Sequence, residues 1–175
     1  ELVTAMKRGF EAGAKSVDPA ITVTTQYTGW DDPAQSKKQA EAFFDENIDV
    51  VMQNTDAASS GVFEAVKEHN LKSSAPDHVV YTFGANADQN GNAICGGYTL
   101  GSAVIHMDKA FAAAIEEVKN GTFKGGLVKE DLANGVCSAV LNPKLTDGVL
   151  KGMQAKLDEA GKKIVAGEIT IPAGE

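Results

Sequence analysis

Two cysteines, one tryptophan and three histidines leave this chain short of the side chains that usually carry chemistry. His69, His78 and His106 are scattered, and neither Cys95 nor Cys137 has a companion at metal-ligand spacing. No Gly-x-Gly-x-x-Gly follows a strand-like run and no phosphate-loop Lys-Ser/Thr pair occurs. The run Ile94-Cys95-Gly96-Gly97 lacks both. No Gly-x-Ser-x-Gly elbow is present. With no nucleophile–base pair to name, catalysis is disfavoured. No apolar run approaches the roughly 18 residues of a membrane-spanning helix. Repeats and low-complexity segments are also missing. Positive charge is the scarcer sign, 16 lysines and arginines against 24 acids, for a net charge of −8. That balance disfavours nucleic acid and anionic membrane as partners.

What remains is a globular composition, 43% hydrophobic and 23% charged over 175 residues, enough for a full core. The stretch from Asp49 to Val66 organises the rest. Val50-Val51-Met52 predicts a buried strand, Gln53-Asn54-Thr55-Asp56 a polar loop, and Val62, Phe63 and Val66 the apolar face of a helix. In open α/β sheets the loops at the carboxyl ends of strands are where ligands bind. Short hydrogen-bonding side chains there suit holding a small polar molecule.

The same alternation runs along the chain. Leu2, Met6, Phe10 and Val17 predict an amphipathic helix over 2–17, with Gly9 and Gly13 allowing close approach to a sheet. Residues 21–27, β-branched and alternating, predict a strand. Asp32 as N-cap, Pro33 at the first helical position and Gln35 at the capping-box position start a helix that runs to about Asn47. The Asp49–Val66 helix extends to His69-Asn70, and 71–77 is a polar loop. His78–Phe83 predicts a third strand and 93–97 a short one. Val104, Phe111, Ile115 and Val118 predict one long helix over 101–120, with His106 a structural residue on it. Gly135–Leu141 predicts a strand, Thr146 caps a helix ending near Gly161, and 164–171 is a strand pair or extended tail. Strand–helix alternation of this kind predicts an α/β, doubly wound, mostly parallel sheet in flavodoxin-like order.

Candidate ligand contacts lie on the polar loops. Trp30 is either a packing residue over a helix start or an aromatic wall of a cleft. Asp31 is left free by the cap at Asp32 to accept from a ligand. Asn54, Thr55 and Asp56 follow one strand, and Asn86 and Asp88 follow another, where an ordinary Asx-rich turn is the alternative. Asp31, Asp56 and Asp88 could instead converge on Mg²⁺ in an α/β enzyme. Cys95 and Cys137 are either buried small hydrophobes or a disulfide, which would contribute about 4 kcal/mol and imply an oxidising compartment.

Gly9-Phe10-Glu11-Ala12-Gly13-Ala14-Lys15, Gly29-Trp30-Asp31-Asp32-Pro33, Asp49-Val50-Val51 with Gln53-Asn54-Thr55-Asp56, and Ile164-Val165-Ala166-Gly167-Glu168-Ile169 with Pro172 together resemble the basic membrane protein family. These are the PnrA-like substrate-binding proteins of ABC importers. The resemblance covers nearly the whole chain but about the second half of a family member. It implies a type I periplasmic-binding-protein-like lobe with the N-terminal lobe outside this chain. Residues 1–92 would then be the ligand-binding lobe and 93–175 a hinge-crossing segment with the long helix and closing elements. The abrupt start at Glu1 is read as that of a fragment or processed form. The resemblance further implies a purine nucleobase or nucleoside-type ligand between two lobes, ABC permease subunits as partners, no cofactor, and a periplasmic or cell-surface location. Membrane contact would come only through a lipid anchor on the N-terminal portion. Trp30 would then stack on a flat base and Asn54, Thr55 and Asp56 would bond it. Gly84-Ala85-Asn86-Ala87-Asp88-Gln89 is similar to the family's Gly-Val-Asp-Ser-Asp-Gln segment. Asn86 stands where nucleoside binders carry a ribose-holding Asp, and Ile105 where they carry Lys. Both departures make a free base as plausible a ligand as a nucleoside. A ligand-sensing domain of a receptor is the competing role on the same fold.

Overall fold

The computed structural model describes residues 2–72 and 78–172. Five α-helices and four strands occur among them: α1 (Leu2–Val17), α2 (Pro33–Asp45), β1 (Val50–Met52), α3 (Ser59–Lys72), β2 (Tyr81–Asn86), β3 (Thr99–Ile105), α4 (Met107–Lys119), β4 (Cys137–Leu141) and α5 (Met153–Val165). The strands form one sheet in the order β1-β2-β3-β4, parallel except that β4 is antiparallel to β3. This is the mostly parallel α/β architecture expected, with helices on both faces. No helix among the described residues is long and apolar enough to cross a membrane.

The core lies between the sheet and the α2–α3 pair. Phe44 and Ala40 of α2 and Val62, Phe63, Ala65 and Val66 of α3 meet Val51, Val80 and Cys95. Phe63, Val66 and Val80 are almost wholly buried. The two helices approach closely because Gly61 has no side chain: a Cβ there would sit 1.9 Å from the Pro33 carbonyl oxygen. The Ser36 hydroxyl, buried at the same crossing, donates to the Ala58 carbonyl. Lys37 donates to Glu68 across the pair at 2.6 Å. Lys37 and Lys72 beside Glu68 hold its carboxyl below the usual range. Asp32 caps α2 by accepting from the Gln35 backbone N–H at 3.0 Å, with Pro33 at the first position. α1 lies on the other face of the sheet, where Phe10 meets Phe83 of β2 edge-on with ring centroids 6.3 Å apart.

Several expectations are corrected. Residues 21–29 form no strand, and no ladder holds them among the described residues. Alternation alone does not make a strand when no neighbour is within bonding reach. The third strand is shifted to 81–86, so Gly84 to Asn86 are strand and not loop. Residues 93–98 are turns, closed by Asn92 Oδ1 accepting from Ile94 N at 2.8 Å. The long helix over 101–120 is two elements, β3 and α4, with His106 between them. Small residues decide this: a Cβ at Gly101 would lie 2.6 Å from the Val140 carbonyl oxygen, so only glycine lets β4 pair there. The last helix starts at Met153, after left-handed Gly152, and runs past Gly161 to Val165, with no strand over 166–172. Close approach at Gly13 is not used, and a Cβ at Gly9 would touch only Ile171. Of the expected loop 71–77, residues 71–72 belong to α3 and 73–77 lie outside the described residues.

Candidate functional site

β1 and β2 run parallel in register, Val51 opposite Thr82, so their carboxyl ends emerge side by side. Gln53 follows β1 on the same side as Val51, and the strand's period of two carries it into the interior, 5% exposed. Its Oε1 lies 3.3 Å from the Thr55 backbone N–H. Asn54, half-buried, turns the other way. Its Oδ1 accepts from Asn86 Nδ2 at 3.2 Å, and its Nδ2 lies 2.9 Å from the Met6 sulfur of α1. The amide pair thus ties the two strand tips together.

Both tips carry a non-glycine residue in left-handed backbone, Asp56 at φ 46° and Asn86 at φ 67°. Asn and Asp tolerate this region better than other side chains, yet it still costs on the order of 1 kcal/mol each and is found preferentially where a ligand is held. The turn at Asp56 opens a short 3-10 segment, Asp56–Ala58, that leads directly into α3. Between the tips lies a pocket of about 240 Å³ lined by Gln53, Asp56, Ser59, Asn86, Gln89 and small alanines. Asp56 is the one formally charged residue in that lining. The pocket therefore favours a neutral or donor-rich guest over an anion.

The expected site residues separate into two groups. Asn54, Thr55, Asp56 and Asn86 come together at the tips. Trp30 is linked to them through its carbonyl, which accepts from Ala58 N at 3.0 Å, while the residue as a whole is 52% exposed. Asp88 is used by the fold: its Oδ1 accepts from Asn90 N at 2.9 Å, the Asx turn that was the alternative. Asp31 is exposed and lines neither the tip pocket nor the larger cavity behind it. Among the described residues no cluster of three or more His, Cys, Asp or Glu is arranged to hold a metal, which removes the basis for an Mg²⁺ site on Asp31, Asp56 and Asp88. Gln53, Ser59 and Gln89 are additional lining residues that the sequence reading did not select. The signal for Gln53 was the strand period itself, which aims a polar side chain inward. Both cysteines are free: Cys95 is buried beneath α3, and Cys137 lies on β4.

A second, larger cavity of about 960 Å³ adjoins the tips, with Trp30, Asn54 and Thr55 at one end. It runs between β1 and residues 21–28, under the face of α1 that carries Met6 and Phe10.

A family model described as "Bmp: ABC transporter substrate-binding protein PnrA-like" matches residues 1–175. The chain is 30% identical to the ABC transporter nucleoside-binding protein BmpA of Lactococcus lactis, over 99% of this chain and 50% of that protein. It is 31% identical to the transcriptional activator protein Med of Bacillus subtilis, over 85% of this chain and 44% of that one. Among solved structures, an ABC transporter system solute-binding protein from Conexibacter woesei superposes with a TM-score of 0.75 at 21% identity, covering 97% of this chain and 53% of that one. The chain therefore spans about half the length of the curated relatives it matches.

Proposed function

Because the chain belongs to the Bmp family of PnrA-like ABC transporter substrate-binding proteins, an extracytoplasmic and non-enzymatic class, we propose that it forms part of the solute-binding component of an ABC importer and grips a neutral purine nucleobase or nucleoside. The observation that carries this reading is the pair of left-handed, amide- and carboxylate-bearing strand tips, Asp56 and Asn86, joined through the Asn54–Asn86 hydrogen bond around one small pocket. Such a pocket offers a base edge an acceptor at Asp56 and amides at Asn86 and Gln89. Those groups penalise a guest that leaves them unpaired. Trp30, held beside the tips by the Ala58–Trp30 backbone bond, supplies a ring face against which a base can stack. A pocket of about 240 Å³ is shallow for a bound nucleoside, so closure by a second lobe completes burial in the full-length protein. In this reading residues 1–92 are the ligand-binding lobe, and α4 and α5, which bury none of their residues, belong to the segment that crosses the hinge. Delivery to the permease follows from closure.

The relative named BmpA as nucleoside-binding supports the ligand class. A ligand-sensing role on the same fold draws support from the Med relative, named as a transcriptional activator. Disrupting the protein's gene separates the two: lost purine uptake supports the importer, while altered transcription with uptake intact supports the sensor. For the site, Trp30→Ala in the full-length protein is expected to weaken purine binding at least about tenfold, the loss of one good aromatic contact. Unchanged affinity by calorimetry would remove Trp30 from the site.

A further inference from the structure

The amide groups around the tip pocket have their direction fixed from outside it. Met6 of α1 has its sulfur 2.9 Å from Asn54 Nδ2. A thioether sulfur accepts and cannot donate, so the nitrogen end of the Asn54 amide is drawn to it. Asn54 Oδ1 is then the end left for Asn86, which meets it with Nδ2 at 3.2 Å. Turning Asn54 over sets oxygen against sulfur, and turning Asn86 alone sets oxygen against oxygen. Neither contact holds a proton. Asn86 lines the pocket, and its Oδ1 is the end left to a guest. A second run of amides ends on Gln89. Asn92 Oδ1 accepts from the backbone N–H of Ile94 at 2.8 Å and of Cys95 at 3.3 Å. Backbone N–H groups only donate, so the oxygen end of Asn92 is held there and its Nδ2 is turned away. That Nδ2 donates to Gln89 Oε1 at 3.3 Å, which leaves Gln89 Nε2 to the pocket. Gln89 itself is pinned: its backbone N–H donates to the buried Ser102 hydroxyl at 2.9 Å. Its stem lies against Gly84, where a Cβ would stand 2.6 Å from the Gln89 Cβ and Cγ.

We propose that Met6 and Asn92 are positioning residues that set the polarity of this pocket, so that it offers acceptors at Asn86 Oδ1 and Asp56 and a donor at Gln89 Nε2. The inference rests on the purine reading above and narrows it to one kind of edge. Two acceptors beside a donor match an edge that carries two N–H donors and one carbonyl. A 2-amino-6-oxopurine has that set in its ring N1–H, its exocyclic amino group and its 6-oxygen. A 6-oxopurine without the amino group has one donor site fewer and leaves an acceptor of the pocket unpaired when the second lobe closes over it. Leaving a buried acceptor unpaired costs more than a paired one contributes. Neither Met6 nor Asn92 lines the pocket, so each acts on the guest only through the amide it holds. The signal in the sequence was slight: Met6 reads as one more apolar residue of an amphipathic helix, and Asn92 as one more Asx of a turn.

The test uses the full-length protein, with Met6→Leu and Asn92→Asp beside it. Leucine keeps the bulk of Met6 and removes the acceptor. Aspartate keeps an oxygen for the Ile94 and Cys95 N–H groups and removes the Nδ2 that holds Gln89. In ligand-free protein, nuclear Overhauser contacts are expected between the Asn54 Nδ2 protons and the Met6 methyl group. Calorimetry then compares guanosine with inosine, and guanine with hypoxanthine, each pair differing in the 2-amino group alone. The amino-bearing member is expected to bind at least about tenfold tighter. In both variants that ratio is expected to fall severalfold while the melting temperature stays near that of the unaltered protein. A merely structural role would lower both affinities together and leave the ratio alone. Equal affinity within each pair, or a ratio that neither variant changes, overturns the proposal. So does an Asn54 amide with no contact to the Met6 methyl group. If no purine binds while that contact is present, the purine reading and the edge preference fall together and the amide polarity stands.

Discussion

At the scale of single residues, polar side chains at the strand tips divide between fold and function by where the strand period sends them. Asn54 and Gln53 are neighbours, yet one bonds Asn86 across the tips and the other is buried beneath them. Asp56 and Asp88 are both acids after strands, yet Asp56 opens a pocket in left-handed backbone while Asp88 closes an Asx turn. The sequence placed all of these after strands, although Asn86 is the last residue of β2 and not a loop residue. It could not rank them, because that depends on φ values and neighbour distances that no residue type determines. The cysteines show the same limit. Burial pushes the Cys95 thiol up to about 11, only partly offset by its contact with the Thr99 hydroxyl. Cys137 is raised as well, by burial first and then by Asp131 and Glu130, but it is less deeply enclosed. Thiolate is the reacting form, so alkylation at pH 8 should label Cys137 about tenfold or more faster than Cys95. Mass mapping of the labelled peptides checks this, and equal rates in folded protein would contradict the burial of Cys95.

At the scale of elements, legibility followed contact. α1, α2 and α3 were readable because their apolar faces repeat at helical spacing and α2 carries its own start signal at Asp32-Pro33. β3 was missed because Val104 falls on the same helical spacing as Phe111, Ile115 and Val118, although His106 breaks the run. The residues that settle it, Gly101 and its opposite number Leu141, lie 40 positions apart and meet only in the sheet. Residues 21–27 were read as a strand on alternation that is real, but a strand exists only with a partner to bond. The α2–α3 crossing gives the firmest element-scale prediction. Gly61→Ala places a methyl group against the Pro33 carbonyl, a backbone atom that cannot rotate away. The substitution should lower stability by about 1–3 kcal/mol, the range for overpacking a tight contact. For a chain of this size that is a fall in melting temperature of roughly 2–12 °C. Thermal unfolding followed by circular dichroism reads it, and an unchanged melting temperature would show that the helices have room to separate.

At the scale of the whole molecule, the chain is well packed on one side and open on others. The α2–α3 layer closes the sheet, while α4 presents Met107, Phe111, Ile115 and Val118 to solvent. The same amphipathic spacing that predicted a core-facing helix is present in α4, but no described element covers it. Sequence periodicity reports which face wants burial and says nothing about what supplies it. The family and the mostly parallel α/β architecture were legible from motifs spread over the chain. The cavity beside β1 was not, since it is a relation among three segments and becomes visible only in three dimensions. The central claim, that neighbouring strand tips grip a flat uncharged guest without altering it, is tested most directly by native mass spectrometry of the freshly purified full-length protein. The account predicts a retained purine base or nucleoside, released unchanged on denaturation. A protein that carries no such molecule and gives no complex when adenine, guanine or their nucleosides are added would contradict it.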